Sequence, residues 1–442
     1  MKKTNLTSAT RLFAGLRDFF ILWSSQAVSA LGTAMTDFAL IVWVYDQKGT
    51  ASSVTLLTLC SFLPTILFRF IAGTIADRWD RKRILLLADL AAACGTATVF
   101  ALYSFSALRI GHLYVINFLL SFMNAFQRPA SFVAESLLAP KEQYVRVSGL
   151  QSFSGSVISI LAPALGSAAL AFGGLPVVLA IDLASFAAAF ITLLFFVKIP
   201  AVEHSAEAAR ESFLKSCMAG INFLREHAAL LRIILFFALI NFFAKLGVDG
   251  MMPAFILGRT GGDQKALGMA ETAVALGLLV GSVLVTWMKP AKNRVRVIFI
   301  CCGLTFLLGE VVQGLTRSLP FWIAAAFVSY VPVAVLGANL TAVMRGQVPV
   351  EMQGRVFSAR DTLQNCTIPL GLFLGGVLTD RVFEPFMATD LPAQKALSAL
   401  VGGGKGAGIA LLFLLVGVVG AVTSFTRLRK PIYGELEEKQ ET

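Results

Sequence analysis

The heptapeptide Asp77-Arg78-Trp79-Asp80-Arg81-Lys82-Arg83 separates two stretches, about 53–76 and 84–108, that are too long and too apolar for a soluble protein. A dense cationic turn joining two arms of membrane-spanning length is a loop on the cytoplasmic side, where lysine and arginine are retained. Composition agrees. Only 14% of the residues are charged, against about 25% in soluble domains, so the bilayer is the solvent of this chain. The net charge of +11 does not point to nucleic acid, because the basic residues recur in short clusters between apolar segments rather than on one face.

Windowed hydropathy predicts twelve spans, at about 19–44, 53–76, 84–108, 112–136, 148–172, 176–197, 231–257, 267–288, 296–316, 321–343, 357–379 and 406–426. With the N-terminus inside, most of the 37 Lys and Arg residues fall on the cytoplasmic side, which places both termini there. The first span reads as an anchor and not a signal peptide: its apolar region is long, it carries Gln26, Thr33 and Asp37, and no small-residue cleavage site follows.

The polar connection at 198–230 divides the spans six and six, predicting an N-terminal bundle at 1–197, a cytoplasmic linker, and a C-terminal bundle with its tail at 231–442. A duplicated unit is expected in such a chain. Asp80-Arg81-Lys82-Arg83 aligns with Asn293-Arg294-Val295-Arg296 at a register of 293 − 80 = 213 residues, which carries Asp37 to within one position of Asp249.

The segment Gly73-Thr74-Ile75-Ala76-Asp77-Arg78-Trp79-Asp80-Arg81-Lys82-Arg83 resembles the loop motif of the major facilitator superfamily. Asp80 stands where many members have glycine, a form shared by the bacterial macrolide-efflux-like branch. Gln26-Ala27-Val28-Ser29, Ala88-Asp89-Leu90, Arg128-Pro129-Ala130 and Gly354-Arg355-Val356-Phe357-Ser358 resemble the same branch, so the likeness covers essentially the whole chain. Ala162-Pro163-Ala164-Leu165-Gly166 is similar to the antiporter motif of exporters, with alanine in place of the glycine before proline. Leu120 stands near the place of the family's arginine in the fourth span.

The resemblance implies an all-α polytopic membrane protein whose twelve transmembrane helices form two pseudo-symmetric six-helix bundles. It also implies that Asp77 meets the start of the eleventh helix and pairs with Arg355, latching the cytoplasmic side with help from Gly73, Arg78, Asp80, Arg81, Lys82 and Arg83. Topology and contact with anionic lipid account for Arg81, Lys82 and Arg83 as well. Pro163 is expected to break the fifth helix locally and, with Gly166, to make it thin and bendable.

Ionisable groups within spans cost about 2.5–3.5 kcal/mol on insertion scales and default to function. Asp37, Lys245 and Asp249 are the leading set for proton coupling or a central cavity: Lys245 and Asp249 share a helix face at i, i+4, and Asp37 belongs to the repeat-equivalent helix. A permanent structural Lys–Asp bridge remains open beside that reading. Gln26, Asn241, Gln364, Asn365 and Arg128 are candidates for the substrate cavity, with helix–helix bonding the alternative for the amides. Arg128 also has Glu135 as a possible partner. Asp89 and Asp182 read as scaffold.

Six cysteines and three histidines show no metal spacing, so no metal is expected. Gly402-Gly403-Gly404-Lys405-Gly406-Ala407-Gly408 lacks the Lys-Ser/Thr step of a phosphate loop and reads as a flexible connection. Without a nucleotide site or other cofactor, the proton gradient is the expected energy source. The leading expectation is a monomeric secondary transporter of a bacterial inner membrane that exchanges protons for small amphipathic, macrolide-like solutes. A lysophospholipid flippase or a siderophore or metabolite exporter of the same fold stays open, and further off a membrane enzyme or a non-transporting sensor.

Overall fold

The computed structural model describes residues 17–78, 80–138, 144–199, 213–288, 291, 293–349 and 353–428, and among them every regular element is a helix. The first six spans are α1 (Arg17–Lys48), α2 (Ala51–Arg78), α3 (Arg81–Ser104), α4 (Ile110–Leu138) and the two arms of α5 (Tyr144–Phe195). The arms of α5 part at Gly173 and Gly174, where the φ of 70° at Gly174 suits a residue without Cβ. Pro163 lies within helical backbone instead of breaking it. A proline removes one backbone hydrogen bond, a loss that neighbouring helices in a bundle make tolerable.

The linker holds a helix, α6 (Phe213–Glu226). The seventh span is two helices, α7 (Ala228–Leu246) and α8 (Val248–Thr260), followed by α9 (Gln264–Trp287) as the eighth. The ninth runs from α10 (Arg294–Phe306) through a π-turn at Leu307–Val311 into α11 (Val312–Leu315), and the tenth is α12 (Leu319–Gln347). The eleventh combines α13 (Gln353–Asn365), α14 (Ile368–Leu378), a second π-turn at Thr379–Phe383 and α15 (Glu384–Met387), so it ends well beyond the expected 379. A short helix, α16 (Pro392–Val401), precedes α17 (Ala407–Arg427), the twelfth span.

Ten stretches among the described residues are long and apolar enough to cross a membrane. One of these, Phe153–Phe195, holds two spans across its glycine break, and α4 supplies the remaining one. The protein is therefore a multi-pass membrane protein, and its described residues supply twelve spans when α5 is counted as two and α4 is included. Local caps start several of them. Asp80 accepts the backbone N–H groups of Lys82 and Arg83 at 2.8 and 3.3 Å, and Asn293 accepts that of Arg296 at 2.8 Å. These two residues are equivalent under the 213-residue register, so both copies of the loop open the following helix in the same way.

The described residues form two compact units: those up to Leu40 with those from Cys60 through the sixth span, and Ile41–Leu59 with those from α6 onward. In the first, Leu22, Ile84, Leu85, Ala130, Ala134, Leu193 and Val197 interlock α1, α3, α4 and α5. In the second, a Cβ on Gly277 or Gly281 of α9 would collide with the carbonyl oxygens of Phe327 or Val331 on α12. Lipid tails are as apolar as leucine, so such close backbone approach, more than exclusion of water, holds these helices together.

Candidate functional site

In the second unit, the chain breaks at Gly247 with ψ of −135°, and the break decides where two charges stand. Lys245 occupies the last turn of α7 and Asp249 the first turn of α8. A cation at a helix C-terminus and a carboxylate at a helix N-terminus are each stabilised by the backbone dipoles. The two side chains meet at 3.1 Å and keep 25% and 27% of their surface accessible. Tyr330 of α12 donates its hydroxyl to the same carboxylate.

Two further acids converge on this pair. Glu310 lies within the first π-turn, is 4% exposed, and has its Cγ 3.3 Å from where a Cβ on Gly247 would stand. Glu271 of α9 is half-buried and interacts electrostatically with both Asp249 and Lys245. Glu310 feels the charge of Asp249, so two further carboxylates stand beside the ion pair. One turn beyond Glu310, Gln313 is fully buried, and neither amide atom has a partner among the described residues. π-turns cost regular hydrogen bonding and are enriched at working sites.

The first unit carries a different arrangement. Asp182, 1% exposed on the second arm of α5, accepts hydroxyl hydrogen bonds from Thr36 and Thr96 at 3.0 Å and from Thr33 at 3.5 Å. It ties α1, α3 and α5 together. Asp37, the next residue after Thr36, feels the charge of Asp182 but is itself exposed in the middle of a 32-residue helix. A carboxylate at that depth is tolerated where it faces a water-filled cavity. Gly166 packs against α1, where a Cβ would approach the Phe38 ring at 3.1 Å, while Pro163 is half-buried.

Two of the four amides expected to line a cavity, Gln26 and Asn241, are engaged between helices. Gln26 donates to Asp89 at 3.0 Å, and Gln127 donates to the other oxygen of that carboxylate at 2.8 Å. Asn241 donates to the backbone carbonyl of Gln364 at 2.9 Å, binding α7 to α13. The Gln364 side-chain nitrogen is buried without a partner among the described residues, and Asn365 beside it is half-buried. Arg128 is exposed on α4; the side chain of Glu135 lies outside the described residues.

The side chains of Asp77, Arg78 and Arg355, and the packing of Gly73, also lie outside the described residues, and with them the expected cytoplasmic latch. Of the loop motif, the side chains of Asp80, Arg81, Lys82 and Arg83 are described. Asp80 caps α3, Arg81 is buried at 9% exposure, and Arg83 is exposed. Lys82 donates to the carbonyls of Leu194 and Val197 at 3.0 and 2.8 Å, neutralising the C-terminal end of α5.

Tyr330 and the hydroxyl set around Asp182 escaped the sequence reading. A signal for Tyr330 existed, since a phenol deep in an apolar span needs an acceptor. Nothing local in the sequence marks Thr33, Thr36 and Thr96 as neighbours of one carboxylate.

The family model of the Major Facilitator Superfamily matches residues 22–290. Macrolide efflux protein A of Streptococcus pyogenes is 27% identical over 375 residues, covering 82% of this chain and 90% of that protein. The multidrug efflux pump Tap of Mycolicibacterium fortuitum is 24% identical over 392 residues, covering 84% and 92%. A crystal structure of a mutant nucleoside transporter, NupG, superposes with a TM-score of 0.69 at 13% identity, covering 93% of this chain and 100% of that one.

Proposed function

Since the chain belongs to the major facilitator superfamily, we propose that it is a proton-coupled exporter of small amphipathic molecules in a bacterial cytoplasmic membrane. The relatives whose names record macrolide and multidrug efflux support the solute class. The positive-inside pattern of the loops supports cytoplasmic termini. The exporter acts as a monomer without a cofactor. Its transport halves are 1–197 and 231–442, joined through 198–230, although residues 41–59 cluster with the second unit.

The observation that carries the coupling is the Lys245–Asp249 pair with its Tyr330 donor, set at a helix break and surrounded by Glu271 and Glu310. A proton arriving on Asp249 cancels the charge that holds Lys245 and Tyr330. The freed ammonium then turns to the neighbouring carboxylates, and the local electrostatics differ between the two protonation states. A pair that remains about a quarter accessible can exchange protons with water, which a sealed bridge cannot do. Asp37, exposed at mid-helix, is the corresponding acid of the first unit.

The test is solute uptake into everted membrane vesicles with an acid lumen, using a macrolide and a fluorescent amphipathic cation. The expected result is accumulation that a protonophore collapses. Accumulation that survives the protonophore would overturn the coupling, and no uptake of either probe would overturn the solute class.

A further inference from the structure

Residues Ile41–Leu59 are the outer ends of α1 and α2 with their connecting turn, and they cluster with the second unit while the rest of both helices clusters with the first. Each helix therefore changes allegiance within its own length, at Leu40–Ile41 and at Leu59–Cys60. The N-terminus of α2 shows what holds this tip. Asp380 accepts the backbone N–H of Ala51 at 3.1 Å on one carboxylate oxygen and that of Ser52 at 2.8 Å on the other.

Those two N–H groups belong to the first turn of α2, where no carbonyl of the same helix can reach them. A carboxylate from a residue 328 positions away serves as their cap. Asp380 reaches them from the second π-turn, Thr379–Phe383, whose extra residue per turn re-aims the side chain. One turn earlier, Gly376 permits the approach: a Cβ there would stand 2.8 Å from the Ser52 Cα and would strike the Thr55 hydroxyl. The Lys405 ammonium lies 5.1 Å from the centre of the Tyr45 ring, and Asp46 bonds to the Gln264 side chain. Val54 and Leu57, on the α2 part of the tip, are buried at 1% and 3% exposure.

We propose that Asp380 is the latch of the outer gate: its two bonds to the α2 N-terminus keep the 41–59 tip docked, and opening to the outside requires their release. This rests on the transport reading above, because a latch has a task only in a protein that alternates its access. The bonds suit that task. A carboxylate on a helix N-terminus is strong enough to favour one state and weak enough to be broken in every cycle.

The experiment uses the full chain with its native cysteines replaced and one reporter cysteine, Val54→Cys, labelled in intact cells by a membrane-impermeant maleimide. Asp380→Ala should raise the labelling rate about tenfold, the population change that accompanies a loss of about 1.4 kcal/mol. Asp380→Glu should fall between. A second reporter, Ala130→Cys in the core of the first unit, distinguishes release of the tip from general loosening and should not change. Leu57→Cys replaces the first reporter if Val54→Cys does not reach the membrane. Unchanged labelling at the tip, or an equal rise at Ala130→Cys, overturns the latch. Because labelling needs no substrate, this outcome is independent of whether the vesicle assay finds transport.

Discussion

Replacing Asp249 by asparagine separates the coupling role of the Lys245–Asp249 pair from a merely structural one. At 3.1 Å the gross attraction between unit charges is about 5 kcal/mol at an effective dielectric constant of about 20. Desolvation opposes it, so the net effect of the substitution lies far lower. Exposed pairs contribute about 0–1 kcal/mol, whereas breaking a sealed pair costs about 3–5 kcal/mol. With 25% and 27% of the two side chains accessible, water partly solvates the stranded ammonium, and the expected loss is about 1–3 kcal/mol.

Asparagine keeps an acceptor for Tyr330, so the loss should come mainly from Lys245. A double-mutant cycle with Lys245→Met tests this partition. Thermal unfolding in detergent should show the double variant recovering about 1–2 kcal/mol relative to the sum of the single losses. Uphill uptake in everted vesicles should vanish in Asp249→Asn and stay absent in the double variant, while downhill exchange persists. A double variant that regains both stability and uphill transport would show the pair to be a structural bridge. Normal uphill transport by Asp249→Asn alone would remove this carboxylate from the coupling reaction.

Two further outcomes follow from the first unit. Asp37→Asn keeps the side chain's shape and removes its proton site, so uphill efflux should fall to background while solute binding, read by equilibrium fluorescence, changes less than about threefold; intact uphill efflux would assign coupling to the second unit alone. Asp182→Ala leaves the Thr36 and Thr96 hydroxyls buried without their acceptor, at about 1–3 kcal/mol per stranded group; membrane yield and thermal midpoint should drop together, and a normal midpoint would refute the bracing role of this carboxylate.

Most of the architecture was legible in the sequence because its determinants are local. Span length follows from runs of apolar residues, and the onset of α3 and α10 from Asp80 and Asn293 two or three residues ahead of the N–H groups they cap. The i, i+4 spacing of Lys245 and Asp249 likewise predicted their contact, although the intervening break at Gly247 did not show itself. The sequence also placed Asp37 within a span and marked its repeat-equivalent position.

Tertiary structure decided which of these groups have company. Tyr330 meets Asp249 across 81 residues, and Asp182 gathers threonines from two other helices. Asp380 caps a helix that begins more than 300 positions before it. Gln26 and Asn241, polar residues that looked available for a solute, turn out to be engaged between helices. The reason is geometric. Periodicity states which residues share a face, but the rotation of each helix about its axis, the shift introduced by a π-turn and the closeness permitted by a glycine are set by packing against partners far away in the chain. A hydrogen bond tolerates errors of only a few tenths of an ångström, so its partner is chosen by that packing.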